Sequence, residues 1–474
     1  MARRRPEFKP GSAGGEAAQL EQVERCSRVL NSVAGDDART DFSITSGISI
    51  HGLGSSGEGV GSVDGYVVFV DGALPGEEVV ARLVECRKRH GFAELLSISK
   101  PSPDRVEPPC KLFGRCGGCQ LMHLSYAKQL EIKRQRVIDA LSRIGHLEGC
   151  DVAPCLPSPQ PLAYRNKIQL PIRAGKLGFY ARSSHDLIPV DTCLIHCSLG
   201  EEVYQKVRSI LQRSPTEDLR HVLIKSAVNT GEALVVLVAR APLPPSLAQE
   251  ILASHPSIRG VVQNLHEGSE NVILGPTYQV LAGEGFITEK LAGLTFKVSP
   301  ASFFQINPAQ AERLYSKALE YAQLTGRETV LDAYCGVGTL SLCLAKQAKA
   351  VIGVECVPDA IADARENARV NGIQNATFVC AATEDFIKQA PAIDIALLNP
   401  PRKGCERSVL EEIGRLAPKR LIYISCDPAT LARDLAHLCT LGYAIDVVQP
   451  FDMFAQTAHV ECVVKLTLDN FSEK

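Results

Sequence analysis

The sequence predicts an α/β protein. A doubly wound, Rossmann-like C-terminal domain is preceded by an OB-type β-barrel and a mainly β central domain. Three observations carry this reading. After about Ser299, apolar strand-like runs alternate with helical patterns, as in a parallel sheet covered on both faces. Between Ser43 and Lys100, short strand-like runs are punctuated by Gly and Pro, which suits a small barrel. From Leu162 to about Phe296 the pattern is mainly strand-like, and "HVLIKSAVNTGEALVVLVA" reads as a hairpin turning near Asn229-Thr230-Gly231.

The chain has 474 residues, 45% hydrophobic and 22% charged, enough for two or three domains. No apolar run reaches the ~18 residues that a membrane span needs. The start, "MARRRPEFKP", lacks the apolar core of a secretion signal, so a cytoplasmic protein is expected. Its 17 cysteines then read as reduced thiols. Cys86, Cys343, Cys380 and Cys439 lie in apolar patterns and read as core. A net charge of −2 gives no argument for nucleic acid, so any such contact must come from local basic patches. With no tryptophan, 11 Tyr and 15 Phe must supply any aromatic stacking.

In chain order, residues 1–40 read as a disordered extension with a short helix near Ala17 to Leu30. Residues 41–100 form the barrel, which carries the basic cluster Arg87, Lys88, Arg89 and His90. Residues 101–298 form the central domain, opened by the linker "PSPDRVEPP" and a cysteine cluster. A helix is expected from about Ser125 to Ile144, closed by Gly145 and free to pack on the catalytic domain. Leu130, Val137, Leu141 and Ile144 make its apolar stripe, and Lys128, Lys133, Arg134 and Arg136 decorate the rest. Residues 299–474 form the last domain.

That domain holds the informative motifs. Thr329 to Ala333 is an apolar strand, and Gly336 and Gly338 turn it into a helix. The next strand ends at Glu355, about 20 positions after the glycine turn, where a carboxylate can hold both hydroxyls of a ribose. Ser341 replaces the third glycine of the dinucleotide fingerprint, which disfavours a nicotinamide dehydrogenase. S-adenosylmethionine has no pyrophosphate and fits this loop better. A later strand, Ile395 to Leu398, ends in Asn399-Pro400-Pro401 at the ligand-binding edge. Arg402 follows where an amino-group methylase would have an aromatic ring.

"LIYISCDPATLARDL" then places Cys426 where a buried strand meets a loop. A thiolate there can add to C6 of a uracil and turn C5 into a carbon nucleophile. A base must afterwards remove the C5 proton. "HVECVVKLTL" places Glu461 inside a strand pattern, an unusual position for a carboxylate unless it is paired or functional. Cys335 in the glycine loop reads as a small residue near the cofactor, and Cys462 as core on the face opposite Glu461.

Together "SFFQIN", "DAYCGVGT", "NPPRKG", "SCDPATLARD" and "HVECVVKL" resemble the RNA (uracil-5-)-methyltransferase family across most of the C-terminal half. The resemblance implies that Cys426 is the nucleophile and Glu461 the proton-abstracting base. It also implies that Gln305, Tyr334, Glu355 and Asn399 line the S-adenosylmethionine and active-site pocket. The family commonly has Asp where this chain has Asn399, so an acceptor is kept and a charge is lost.

"CKLFGRCGGC" spaces Cys110, Cys116 and Cys119 for zinc or an iron–sulfur cluster, with Cys193 and Cys197 as candidate fourth ligands. The same resemblance implies a [4Fe-4S] cluster, a barrel of the TRAM type, and Cys193 as the fourth ligand with Cys197 in reserve. It further implies structured RNA as substrate, 23S ribosomal RNA above transfer RNA, with a target base unstacked into the pocket. The rival expectations are a catalytically decayed RNA-binding homologue and a dehydrogenase of the same fold class.

Overall fold

The computed structural model describes residues 44–469, apart from 174, 183 and 269–271, and the extension read over 1–40 lies outside the described residues. The chain forms two compact units. The first is Met1–Ile132 with Tyr180–Asp186 and Gln456–Ala458, and the second is Lys133–Phe179, Leu187–Ala455 and His459–Lys474.

In the first unit, Ile44–Leu53 (β1), Gly59–Val63 (β2), Tyr66–Asp71 (β3), Glu78–Cys86 (β4) and His90–Lys100 (β5) close a barrel in the order β1-β2-β3-β5-β4. The parallel β3–β5 pair among otherwise antiparallel neighbours gives the OB-type strand path expected from the sequence. Period-two alternation turns Val68, Val70, Leu83 and Ala93 into the barrel core. A Cβ on Gly61 would lie 2.6 Å from the Ile48 side chain, so only glycine lets β2 close against β1.

The cysteine loop belongs to this unit. The Gly117 N–H donates to the Tyr180 carbonyl at 3.1 Å, and Arg182 forms an ion pair with Asp71 of the barrel. Glu77, fully buried, accepts from Leu74 and Ser102 N–H groups and pairs with Arg105 at 2.6 Å, fastening the linker to the barrel.

Helix α1, Tyr126–Arg143, crosses the unit boundary. Val137 and Leu141 are buried as expected, whereas Ile144 is exposed because the helix has already ended. Lys133, expected on the solvated face, is buried and ion-paired with the buried Asp452. A partner 319 residues away makes that burial possible.

In the second unit, β6 (Lys167–Arg173), β7 (Lys176–Tyr180), β8 (Leu187–Pro189), β9 (Leu219–Ala227), β10 (Glu232–Ala239), β11 (Ile258–Leu265) and β12 (Thr277–Gly283) form a seven-stranded sheet. Helices α2 (Ser198–Arg213) and α3 (Pro245–Ala253) cover it, and α3 crosses between the parallel β10 and β11. The β9–β10 hairpin turns at Gly231, whose φ is +76°. A ribbon, β13 (Ile287–Leu291) and β14 (Leu294–Val298), leads into the last part.

There the order is α4 (Pro308–Ala322), β15 (Thr329–Ala333), α5 (Thr339–Ala345), β16 (Ala350–Glu355), α6 (Pro358–Val370), β17 (Ala376–Cys380) and α7 (Thr383–Phe386). It continues with β18 (Ile395–Leu398), α8 (Arg407–Leu416), β19 (Arg420–Ser425), α9 (Pro428–Thr440), β20 (Tyr443–Phe451) and β21 (Glu461–Leu468). The second seven-stranded sheet runs β17-β16-β15-β18-β19-β21-β20, and its order reverses between β15 and β18. Strands β15 to β19 are parallel and β21 is antiparallel to β19. Cys380 is exposed rather than core, because it ends the edge strand β17, and Cys86 and Cys439 are only half-buried.

Candidate active site

Parallel strands all end at one edge of a sheet, and ligands bind there near the point where strand order reverses. The ends of β15, β16, β18 and β19 therefore deliver Tyr334, Glu355, Asn399 and Cys426 to one edge. Because β21 runs the other way, its first residue, Glu461, begins at that same edge.

The ladder aligns the last two. Ser425 of β19 pairs with Cys462 of β21. The β19–β21 ladder ends at that pair, so Cys426 and Glu461 are the next residues beyond it on the two chains, near enough for the Glu461 charge to act on the Cys426 thiol. Cys426 is half-buried and Glu461 is buried. Burial pushes the Cys426 thiol up to about 11, negative charge on Glu461 adds to this, and the Arg402 guanidinium opposes it. Burial raises the Glu461 carboxyl to about 8. Negative charge on Glu461 thus disfavours the Cys426 thiolate.

The loop bearing Cys426 is tightly held. Asp427 caps α9, its Oδ1 accepting from the Ala429 and Thr430 N–H groups at 2.9 and 3.1 Å. Thr430 Oγ1 donates to the Arg402 carbonyl at 3.2 Å and so ties this loop to Asn399-Pro-Pro-Arg. Beneath them, buried Asp434 accepts from the Cys405 N–H at 2.8 Å and from the Tyr423 hydroxyl at 2.5 Å. A Cβ on Gly404 would lie 2.5 Å from Asp434 Oδ2, so this turn closes only with glycine, at φ +76°.

The cofactor side is equally built. Tyr334, Gly336 and Gly338 all have positive φ, making a tight concave turn after β15. A Cβ on Gly336 would meet nothing within 4 Å, so the turn faces open space. Glu355 accepts from the Gly336 N–H at 3.3 Å and the Val357 N–H at 3.0 Å, joining the two strand-end loops. Asn399 donates its N–H to the Ala333 carbonyl at 3.4 Å. Burial pushes the Tyr334 hydroxyl well above its usual range. Ser341, at the place of the missing glycine, donates its hydroxyl to buried Asp332. Burial lifts the Asp332 carboxyl to about 7. A concave glycine turn beside a half-buried carboxylate fits the methionine and ribose of S-adenosylmethionine.

Gln305 sits on the segment before α4, a helix that packs over β19 and β21. The segment is anchored at both ends. Buried Lys225 donates to the Ser299 and Ser302 carbonyls, both at 2.7 Å. Asn166 Nδ2 donates to the Gln305 carbonyl at 3.1 Å, and Asn307 Nδ2 to Ser158 Oγ at 3.0 Å. Between the anchors Phe303 stands 69% exposed. Sequence reasoning missed Asp332, Phe303 and Lys225. A lone acid in an apolar strand and a doubled aromatic in "SFFQIN" were the available signals, while nothing local marks Lys225.

Cys110, Cys116 and Cys119 are half-buried on one turn-rich loop. Cys110 and Cys116 are close enough to feel each other's charge, and the Gly118 N–H points at Cys116 Sγ at 3.4 Å. Among the described residues no group of three or more His, Cys, Asp or Glu side chains forms a metal site. Cys197 caps α2, its Sγ accepting from the Gly200 N–H at 3.4 Å. Half-buried Cys193 donates its N–H to Glu201. No described helix is long and apolar enough to cross a membrane.

Comparison with known proteins gives the family. Residues 279–469 match the family model described as tRNA (Uracil-5-)-methyltransferase, and residues 45–96 match the TRAM domain. An uncharacterized RNA methyltransferase of Listeria innocua is 43% identical over 441 residues, covering 89% of this chain and 97% of its own. Another from Clostridium acetobutylicum is 42% identical over 439 residues, covering 88% and 95%. The Pyrococcus abyssi tRNA (uracil-54, C5)-methyltransferase, solved with S-adenosyl-L-homocysteine, is 28% identical. It superposes with a TM-score of 0.72 over 89% of this chain and 99% of that one.

Proposed function

We propose that this chain, which belongs to the TRAM-domain-containing RNA (uracil-5-)-methyltransferase family, methylates uridine C5 in structured 23S ribosomal RNA through a Cys426 thioether. It is an S-adenosylmethionine-dependent RNA uridine-C5 methyltransferase. The ribosomal target and the residue roles are the proposal. The observation that supports the roles is that β19 and β21 pair up to Ser425–Cys462, which leaves Cys426 and Glu461 at the same sheet edge with the Glu461 charge acting on the thiol.

S-adenosylmethionine supplies an electrophilic methyl group. Glu355 holds the ribose, the turn at Gly336 makes room for the methionine part, and Gln305, Tyr334 and Asn399 line the pocket. The target uridine is unstacked into the site, with Phe303 offering an aromatic face nearby in the chain. The Cys426 thiol gives up its proton to solvent and its Sγ bonds to C6, and C5 takes the methyl as the C–S bond of the sulfonium breaks and S-adenosylhomocysteine leaves. Glu461 then accepts the C5 proton, and the C6–S bond breaks to restore the ring. Once Cys426 is a neutral thioether, its negative charge no longer opposes that of Glu461, which favours the carboxylate when a base is needed.

The three thiols of the Cys110–Cys119 loop, with an N–H aimed at one sulfur, have the donor chemistry of an iron–sulfur site. Cys110, Cys116, Cys119 and Cys193 are the proposed [4Fe-4S] ligands. Cys193 is favoured over Cys197, whose sulfur is buried and caps α2. Anaerobically purified protein is expected to be brown, with about four irons per chain. Stoichiometric zinc without iron overturns this.

The likeness to a transfer-RNA enzyme supports a second reading, uridine-C5 methylation of tRNA. One experiment tests both. The protein is incubated with S-adenosylmethionine and either 23S ribosomal RNA fragments or tRNA carrying 5-fluorouridine. Fluorine cannot leave as a proton, so the adduct survives denaturing electrophoresis. An adduct on the ribosomal fragment that is absent in Cys426→Ala supports the first reading. An adduct on tRNA alone supports the second. No adduct on either, with cofactor binding intact, favours the decayed homologue.

A further inference from the structure

The barrel carries an aromatic ladder outside its core. Val68, Val70, Gly91 and Ala93 face the barrel core, so alternation turns Phe69, His90 and Phe92 outward on the adjacent parallel strands β3 and β5. Phe69 pairs directly with Phe92 in the register. Their ring centroids lie 5.4 Å apart at 25°, a stacked pair. His90 meets both rings edge-on, 5.5 Å from each. The Arg87 guanidinium lies over the Phe92 ring at 5.0 Å. All three rings remain half-exposed.

The turn beyond the ladder is basic. Arg87, Lys88 and Arg89 are exposed between β4 and β5. Tyr66 donates its hydroxyl to the Arg87 carbonyl at 2.7 Å and fixes the turn. Of the acids near the ladder, Glu85 pairs with Arg87 at 2.6 Å, Glu94 with Arg82 at 2.6 Å and Asp71 with Arg182, while Glu58, near Phe69, accepts from the Ser56 N–H at 3.1 Å. Lys88 and Arg89 have no such acid among the described ion pairs. Flat rings beside free positive charge match a nucleotide, whose base has a face to stack and whose phosphate is anionic.

We propose that Arg87, Phe92, Phe69 and His90 form a stacking platform for an unpaired base of the RNA substrate, with Lys88 and Arg89 on the flanking phosphates. This rests on the RNA reading above and assigns the barrel a specific ligand, single-stranded rather than duplex RNA. A paired helix offers no free base face, so the platform discriminates by strandedness.

The test uses the full chain without cofactor and a fluorescent single strand of ~12 nucleotides, within the site sizes known for OB-type barrels. Phe92→Leu and Phe69→Leu are each expected to weaken binding about tenfold while leaving the salt dependence of affinity unchanged. Lys88→Ala with Arg89→Ala is expected to weaken binding and to lower the salt slope by about one for each phosphate no longer neutralised. Arg87→Gln, at an exposed site, serves as a stacking variant that leaves the barrel core untouched. In turnover with RNA substrate, the aromatic variants should raise KM and leave kcat unchanged. If the aromatic variants and Arg87→Gln bind the single strand as the parent does, the platform is wrong. Equal losses on a fully paired duplex overturn it as well. If the parent chain binds no RNA, it is the RNA reading itself that fails.

Discussion

The two seven-stranded sheets of the second unit differ in what their polar side chains do. In the central sheet several of these groups are used in structural bonds, although His221 Nδ1 on β9 is buried without a partner among the described residues. Lys225 holds the Ser299–Ser302 turn, Gln263 bonds the Leu243 N–H and the Ala241 carbonyl, and Asn264 bonds Gly275. In the catalytic sheet, Glu355, Asn399 and Cys426 are only half-buried and sit at strand ends. Strand direction explains the difference. Five parallel strands collect their ends at one edge, and the reversed β21 adds a carboxylate to it. The central sheet mixes directions from β6 to β12 and has no such common edge.

The largest break of this contrast is at the reversed strand's partner. Cys426→Ala should lower methylation by about 10,000-fold or more, measured as methyl transfer from labelled cofactor. Cofactor binding should persist, because Glu355 and the glycine turn are untouched.

Glu461→Gln should slow turnover about 100- to 10,000-fold and do so after the covalent step. A Cys426–RNA adduct should therefore accumulate with ordinary uridine, visible on denaturing gels. Turnover by the parent should rise with pH through about 8, where burial places the Glu461 carboxyl. The same shift sets a stability trend. The folded chain keeps a proton that the unfolded chain loses above its ordinary value near 4.5, so stability falls as pH rises from there to about 8. In thermal melts Glu461→Gln should lack that fall and gain on the parent across the same window.

Much of this edge was legible in the sequence, because a strand end is a local pattern. Apolar runs that stop at Glu355, Asn399 and Cys426 announce both the sheet and its edge. Glu461 was legible as a carboxylate in an apolar strand, and the register then explains why it belongs there. Lys133 was misplaced on a solvated face, since its helix shows the amphipathic spacing but not Asp452, 319 residues away. The role of Lys225 was invisible for the same reason, because its acceptors are backbone carbonyls 74 and 77 residues distant. The cysteine spacing was plain, but spacing alone does not say which thiols a fold commits elsewhere, as it commits Cys197 to a helix cap.

Glu355→Ala sharpens the comparison at the cofactor end. Losing a carboxylate that bonds two loop N–H groups and is proposed to hold the ribose should raise the cofactor KM about 10- to 100-fold, with a smaller effect on kcat. Titration with S-adenosylhomocysteine should show the same loss. Lys225→Met tests whether the central sheet reaches the site only through the loop it holds. Loss of both lysine bonds, with the Ser299 carbonyl keeping only the Ser302 hydroxyl at 3.0 Å, should loosen the Phe303–Gln305 segment and reduce activity about three- to tenfold at unchanged cofactor affinity.

The smallest expected effect is the most discriminating. Cys335 and Cys426 both follow parallel strands of one sheet, so strand position alone nominates either as the nucleophile. Their surroundings separate them. Cys335 is buried, with its thiol pushed well above the usual range by burial, and a Cβ on Gly353 would lie 3.0 Å from its sulfur. Cys426 is half-buried, lies within reach of the Glu461 charge, and has the Arg402 charge favouring its thiolate. Cys335→Ala should therefore change methylation by no more than about threefold, as expected for a modest truncation away from the reacting atoms. It should leave 5-fluorouridine trapping intact. If Cys335→Ala abolished trapping and Cys426→Ala did not, the nucleophile would lie in the glycine turn, and the carboxylate on the reversed strand would have no thiol to serve.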